Sequence, residues 1–292
     1  MKKRIKRLLS RCIKSDKVYY KIFYFLKFKK RLNLKTPNTT SEKIFKLMLT
    51  QDANYLSTFA DKYLVRNYVK EKIGEQHLIP LIHQTQDVNT ITLDIIKNGP
   101  VIIKTSHLSG PPLTIVKEEK DFDLKMIKKE FNRALRKNFY YEMREPHYKD
   151  ITPRIIVEKL LLDDSGEVPK DFKFHVFNKK VAFIQVDYDR FTEHKRNFFS
   201  TEWELLPFQW STLKEGQLYE NLTIKDDSPP KNLKKCIMLA EKLCPNVSYC
   251  RIDLYNENKN IYFGEITFYH EAGIGQFSNP VWESKVAQLI QT

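Results

Sequence analysis

The sequence predicts an α+β fold, and three observations carry that prediction. Helical periodicity is concentrated early in the chain, the middle holds short apolar strand-like runs, and the late part reads as antiparallel hairpins. A doubly wound sheet would instead alternate strand and helix along the whole chain.

Residues 1–35 form a basic, aromatic-rich segment. They hold 14 Lys/Arg against the single Asp16, so they carry +13 of the net +14 and leave the rest of the chain almost neutral. A nucleic-acid groove needs its positive charge on the folded surface, and this distribution excludes that partner. Ile5, Leu8, Leu9 and Ile13, with the run 18–28, interleave the lysines, which suits a helix lying in an anionic lipid headgroup layer. Lys21 interrupts that run, and no stretch of about 18 apolar residues exists to span a bilayer. No long apolar core leads to a small-residue cleavage site, as a secretory signal would require. Residues 18–34 can equally be a first helix whose aromatic face packs on the body.

After the break at Thr36-Pro37-Asn38-Thr39-Thr40, Ser41 is placed to cap a helix through Met48, with Glu42 in its first turn. A second helix is expected over 56–72, stopped by Gly74. Residues 78–81 and 101–104 read as short buried strands, 121–137 as a basic amphipathic helix, and 154–162 as a strand. The runs 172–177 and 181–187 form a hairpin around Asn178-Lys179-Lys180. Residues 208–230 read as an irregular surface excursion and 232–243 as a helix. The final hairpin pairs 249–255 with 260–270 around Asn256-Glu257-Asn258-Lys259. Cys12, Cys236, Cys244 and Cys250 show no CxxC pair and no metal-ligand rhythm. The absence of a disulfide framework fits the cytoplasm best.

The final hairpin is where chemistry concentrates. Alternation puts Arg251, Asp253 and Tyr255 on one face of its first strand, and Phe263, Glu265 and Thr267 on one face of its second. A turn centred on Asn258 pairs 253 with 263 and 251 with 265, which clusters Arg251, Asp253 and Glu265. Charges on a buried strand pair need a metal, a phosphate or each other. The oxygen-only set favours Mg²⁺, which binds through one or two carboxylates and substrate phosphates. The other reading is an exposed face with a cross-strand Arg251–Glu265 ion pair.

Upstream, Lys104 ends an apolar strand and runs into Ser106-His107-Leu108-Ser109-Gly110, an arrangement suited to a phosphate or to a plain edge turn. Glu158, in Ile155-Ile156-Val157-Glu158-Lys159-Leu160, can accept hydrogen bonds from a base or ribose, or face water.

Taken together these pieces are recognisable. The stretches LNLKTPNTTSEKI (32–44), DKYLVRNYV (61–69), HLIPLI (77–82), VIIKTSHLSG (101–110), REPHYKDITPRIIVEKLL (144–161), DFKFHVFNKKVAFIQVDYDR (171–190) and RIDLYNENKNIYFGEITF (251–268) follow one another in family order. With them the chain resembles the teichuronopeptide-biosynthesis, TupA-like branch of the ATP-grasp superfamily, from about Leu32 to its C-terminus. The resemblance implies an ATP-grasp fold in which two α+β lobes with antiparallel sheets grip ATP. It implies a helical or α/β lobe over 36–100, a small lobe with the phosphate loop over 101–160, and a large lobe with the metal-binding hairpin over 161–292.

The resemblance also implies roles. Lys104 matches the strand lysine reaching the α/β-phosphates, Ser109 and Gly110 the loop above them, and Arg66 a second phosphate-directed cation. Glu158 matches the lobe-joining glutamate at adenosine, with Lys159 and Leu160 offering backbone groups to the adenine edge. Asp253 and Glu265 match the magnesium carboxylates, and Arg251 the arginine directed at the transferred phosphate. Asp171, Lys173 and Arg190 match polar positions near the cleft. Two departures stand out. Pro111-Pro112 follow a glycine-poor loop and have no N–H to offer a phosphate, and Thr267 stands where many superfamily members carry a metal-binding Asn.

The implied activity is ATP- and Mg²⁺-dependent ligation of a carboxylate-bearing sugar or amino acid to an amine. It would serve capsule, teichuronopeptide or O-antigen synthesis at the inner face of the cell membrane. A polysaccharide glycosyltransferase and a non-catalytic nucleotide- or glycan-binding protein are the alternatives. The first would favour a Rossmann-like parallel sheet with a sugar-nucleotide carboxylate motif, and neither is evident.

Overall fold

The computed structural model describes residues 10–97, 99–188, 195–213, 228–257 and 260–292. It opens with helices α1 (Asp16–Phe28), α2 (Thr40–Thr50), α3 (Ala53–Ala60) and α4 (Val65–Ile73). Strands β1 (Leu81–Thr85), β2 (Val101–Thr105) and β3 (Leu113–Val116) follow, then helix α5 (Leu124–Leu135) and strand β4 (Ile155–Lys159). Next come β5 (Asp171–Phe177), β6 (Lys180–Tyr188), β7 (Lys195–Phe199) and β8 (Trp210–Ser211), then α6 (Leu233–Leu243). The chain closes with β9 (Tyr249–Glu257), β10 (Asn260–Thr267), β11 (Gln276–Phe277) and α7 (Pro280–Leu289). Every described strand pair is antiparallel.

Two compact units result. One comprises the chain up to Gln51, Tyr141–Glu145 and Lys170–Thr292; the other comprises Asp52–Tyr140 and Pro146–Pro169. Each draws on stretches of chain that are far apart in sequence.

In the unit that starts at Asp52, the sheet runs β1-β4-β2-β3. Period-2 alternation sends Val101 and Ile103 of β2 and Ile155 and Val157 of β4 to one face, where Val116, Ile127 and Phe131 complete an apolar core. Helix α5 supplies Ile127 and Phe131 from its apolar stripe and keeps its lysines outside. The expected helix over 56–72 is broken in two. Buried Asp61 caps the break, its Oδ1 accepting from the N–H groups of Tyr63 at 2.8 Å and Leu64 at 3.4 Å. The first strand is at Leu81–Thr85 rather than at 78–81, because Glu75–His77 forms a short 3₁₀ turn that delays it.

In the other unit, five strands run β10-β9-β5-β6-β7. Asn178 and Lys179, both at positive φ, make the tight turn between β5 and β6. One face of this sheet is apolar, with Phe174, Ile252 and Leu254 fully buried, and α6 packs on β5, β6 and β9. Cys236 and Cys244 are buried there as small hydrophobes. Residues 208–213 are not a surface excursion: Trp210 is buried and pairs with Phe277 in a two-strand ladder. Residues 214–227 lie outside the described residues. Thr39, not Ser41, caps α2, because its side chain reaches the N–H of Glu42 while the Glu42 carboxylate returns to the Thr39 N–H, a capping box.

Helix α1 belongs to this unit too. Tyr19, Tyr20, Phe23 and Tyr24 point inward, with the Tyr20 and Tyr24 rings 5.2 and 5.8 Å from that of Phe45. Buried Arg144 fastens it. Its Nη1 lies 2.6 Å from Asp16 Oδ1, its Nη2 donates to the Ile13 carbonyl, and its guanidinium sits 4.9 Å from the centre of the Tyr19 ring. Among the described residues, no helix is long and apolar enough to cross a membrane. Arg144→Ala should therefore cost about 2 kcal/mol, the worth of a charge-assisted hydrogen bond in a buried setting. Urea unfolding measures this, and an unchanged midpoint would show that α1 is held by its aromatic face alone.

Candidate active site

The second face of the five-stranded sheet is polar and largely buried. Alternation brings Asp171, Lys173 and His175 of β5, Gln185 and Asp187 of β6, Arg196 of β7, and Arg251 and Asp253 of β9 to it. All of these lie under 10% exposed except Arg251, which is intermediate. Burying so many charges requires mutual compensation.

Arg251 forms a fork on Asp253, with Nε to Oδ1 and Nη2 to Oδ2 both at 2.7 Å. Its Nη2 also reaches Glu265 Oε1 at 3.3 Å. Lys173 Nζ donates to Asp253 Oδ2 at 2.8 Å and to Asp171 Oδ2. Burial works to lower the Arg251 pKa, but Asp253 and Glu265 beside it outweigh that and raise it, so the guanidinium stays charged.

The expected cluster of Arg251, Asp253 and Glu265 therefore exists, but its register is different. Asp253 faces Glu265 directly and Arg251 faces Thr267, whereas the sequence reading pairs 253 with 263 and 251 with 265. The strand pair already sets Asn260 opposite Glu257, one residue from the expected register, and a β-bulge at Gly264 adds a second shift of one. Phe263 pairs with Leu254 on the apolar face, and continuing that register would set Glu265 opposite Ile252, among core residues. The extra residue turns Glu265 to the polar face. A Cβ on Gly264 would meet the Asp253 carbonyl oxygen at 3.0 Å and the Tyr255 ring at 3.3 Å, so glycine fits there and larger residues crowd.

Beyond Arg251 the polar face continues into a network that sequence reasoning missed. Arg196 Nε donates to Asp187 Oδ1 at 2.7 Å, and its Nη1 to Glu271 Oε1 at 2.9 Å and to the Trp210 carbonyl at 3.1 Å. Gln185 Nε2 donates to both Asp187 oxygens, which leaves its Oε1 to accept from His175 Nε2 at 3.1 Å. His175 Nδ1 then accepts from the Tyr249 hydroxyl at 3.0 Å. His270 donates from Nε2 to the Trp210 carbonyl at 3.3 Å and turns Nδ1 toward Arg251 Nη1 at 3.4 Å.

Both histidines are thus neutral, and desolvation, followed by neighbouring positive charge, holds their pKa values well below the usual imidazole value. Glu271, Ala272 and Gly273 run consecutively at φ +50°, +49° and +74°, a left-handed turn that aims the Glu271 carboxylate at Arg196. The only sequence signal for this network was the alternation of Gln185 and Asp187 with Ile184, Val186 and Tyr188.

The other unit carries a separate cluster. Ile102 pairs with Glu158 and Lys104 with Ile156 across β2 and β4, so Lys104 and Glu158 share the face opposite the core. Lys104 Nζ lies 2.6 Å from Glu158 Oε2, and Arg66 Nη1 lies 2.8 Å from Glu158 Oε1 while its Nη2 holds the Ile79 carbonyl. Glu158 is bracketed by two cations rather than facing water. The Lys159 and Leu160 N–H groups are taken by the carbonyls of Pro80 and Pro100, so neither N–H is open to a ligand. Ser109 and Gly110 form an exposed loop, with Gly110 at φ +83°. Thr267 is half-buried opposite Arg251. Arg190 lies outside the described residues. Among the described residues, no group of three or more His, Cys, Asp or Glu is placed to hold a metal ion.

Two predictions follow from this geometry. Gly264→Ala should destabilise the protein by about 1–3 kcal/mol, the usual cost of overpacking, and a full-stability variant in urea unfolding would contradict the bulge argument. The second concerns pH. Above about pH 6.5 the histidines are neutral in both folded and unfolded chains; below it the unfolded chain takes protons that buried His175 and His270 refuse. Stability should therefore fall with pH by about 1.4 kcal/mol per unit for each such histidine. His270→Gln, which can keep both hydrogen bonds, should flatten that fall, as thermal unfolding between pH 7.5 and 5 would record.

Comparison with known proteins identifies the family. The family model for TupA-like ATP-grasp proteins matches residues 42–290. No curated protein matches. Similar solved structures include D-alanine–D-alanine ligase from Bacillus anthracis, at 12% identity over 80% of this chain and 64% of that one, with a TM-score of 0.43. The ATP-grasp ligase PsnB with its minimal precursor is 12% identical over 78% of this chain and 59% of its own, TM-score 0.40. N5-carboxyaminoimidazole synthetase from Staphylococcus aureus is 14% identical over 72% and 44%, TM-score 0.39. The chain spans less than two thirds of the length of each of these three. With a family model matched over most of its length, the chain belongs to the TupA-like ATP-grasp family.

Proposed function

We propose that the protein is an ATP- and Mg²⁺-dependent carboxylate–amine ligase of cell-surface polysaccharide synthesis. Its carboxylate would come from a sugar acid or an amino acid, its amine from a second substrate, and its products would enter capsule, teichuronopeptide or O-antigen assembly. It would work in the cytoplasm, at the inner face of the cell membrane. The observation that carries the chemistry is the bulge that sets Glu265 opposite Asp253 under the Arg251 guanidinium.

Asp253 and Glu265 form an oxygen-only donor pair beside the hydroxyl-bearing Thr267, which fits magnesium's habit of taking one or two carboxylates and completing its shell from phosphates and water. Magnesium held there would neutralise phosphate charge and orient the transferred group. Arg251, kept cationic by its carboxylates, would oppose the charge that builds on the transferred phosphoryl group. Lys173 would hold Asp253 in place and supply a second positive charge. Asp171 orients Lys173 in turn, and Arg190 would be a further cation of the site. In the other unit, Lys104 and Arg66 suit phosphate oxygens and Glu158 suits adenosine hydroxyls. The Ser109-Gly110 loop would cover the phosphates, and the Lys159 and Leu160 carbonyls would face the adenine amino group.

The proposed reaction balances simply. A carboxylate oxygen bonds to the γ-phosphorus as the bond to ADP breaks, giving an acyl phosphate. The amine then bonds to the acyl carbon, phosphate departs with the C–O electron pair, and the nitrogen loses a proton.

Calorimetry with a non-hydrolysable ATP analogue and magnesium tests the binding step; no heat and no thermal shift at millimolar nucleotide would defeat the reading. Asp253→Asn and Glu265→Gln keep shape but lose charge, so each should abolish ATP turnover while leaving the folded spectrum intact. Retained activity in both variants would make the hairpin carboxylates purely structural.

A further inference from the structure

Helix α1 has two apolar faces. The inner one packs Tyr19, Tyr20, Phe23 and Tyr24 into the unit, and the Arg144 contacts fix the helix in that orientation. The outer one leaves Val18, Ile22, Phe25 and Leu26 at 48, 39, 52 and 40% exposure. Steps of four, three and one residue at 100° each set these four within about a third of the helix circumference, so they form one stripe and not scattered contacts. Lys17 and Lys21, both exposed, flank it on one side, and exposed Lys14 and Lys29 lie just beyond the two ends of the helix.

A globular protein has no reason of stability to place two aliphatic residues, a leucine and a phenylalanine in water along one helix face. Lysines flanking and ending such a stripe are what a bilayer surface selects. The apolar side chains enter the acyl boundary, and the lysine stems extend toward anionic headgroups.

We infer that the outer face of α1, centred on Ile22 and Phe25, is a docking surface for an anionic lipid bilayer, and that the helix stays packed on its own unit when it binds. This rests on the peripheral-membrane part of the reading above, and it differs from an unfolded basic leader acting alone. Charge complementarity chooses the occupant: the face and the preceding segment are cationic, so an anionic phospholipid surface attracts them where a second copy of the same basic face would be repelled.

The test is co-sedimentation with vesicles of phosphatidylglycerol and phosphatidylcholine, and with phosphatidylcholine alone. It uses the full chain, an Ile22→Ser/Phe25→Ser variant, and a variant with Lys2, Lys3, Arg4, Lys6 and Arg7 changed to Gln. The full chain should bind anionic vesicles in a salt-sensitive way and neutral vesicles weakly. The double serine variant should bind at least tenfold more weakly while keeping its thermal midpoint and its affinity for Mg·ATP.

If that variant binds like the full chain and only the glutamine variant is impaired, the leader is the anchor and the docking face is disproved. If the full chain ignores anionic vesicles altogether, both the docking face and the peripheral-membrane reading fall, while ATP turnover in solution tests the ligase reading independently. A dimer split by the serine changes, without vesicle binding, would make the face a protein interface and overturn the proposal.

Discussion

The guanidinium of Arg251 sits on a sheet face that is mostly closed to water, and that position has to be compensated. A buried cation without carboxylates would lose several kcal/mol of hydration. The sheet supplies them by register: Asp253 two residues along the same strand, Glu265 across the Gly264 bulge, and Asp171 at one remove through Lys173. Burial first, and the positive charge of Arg251 and Arg196 second, keep His270 and His175 neutral.

Such an arrangement is expensive as architecture and useful as chemistry. An apolar core of similar volume would serve stability as well or better. Fixed, desolvated charges instead provide a preorganised field for a group that gains or moves negative charge, with no reorganisation needed when it does so. The strained run from Glu271 to Gly273 belongs to the same pattern. Two non-glycine residues in left-handed conformation are tolerated because Arg196 and Thr212 fix the Glu271 carboxylate. In the other unit the principle recurs on a smaller scale, with Glu158 held between Lys104 and Arg66.

Much of this was legible in the sequence. Period-2 alternation with a turn assumed at Asn258 put Arg251, Asp253 and Glu265 on one face, and the first late hairpin announced itself through Asn178-Lys179. The register was not legible, because a bulge is a one-residue insertion whose only sequence trace is Gly264, between Phe263 and Glu265. Two further differences have local causes: the cap at Thr39 rather than Ser41, and the helix break at Asp61. Several residues of similar capping power stood in a row in the first case, and in the second a buried aspartate with its Arg154 partner overrode a continuous helical pattern. The Arg196–Glu271 pair joins residues 75 apart in sequence, and no local pattern reports such a contact. For α1, composition could not choose between packing and exposure because the helix does both.

The central claim is that this charged face serves carboxylate activation by ATP. Isotope transfer tests it most directly. The protein would be incubated with Mg·ATP, an amine panel, and sugar acids or amino acids carrying ¹⁸O in the carboxylate, and the released phosphate analysed by mass spectrometry. The account predicts one ¹⁸O in inorganic phosphate for the productive acid, in step with ADP and amide. Phosphate free of label alongside product formation would mean that the carboxylate never attacks phosphorus, and would contradict the account.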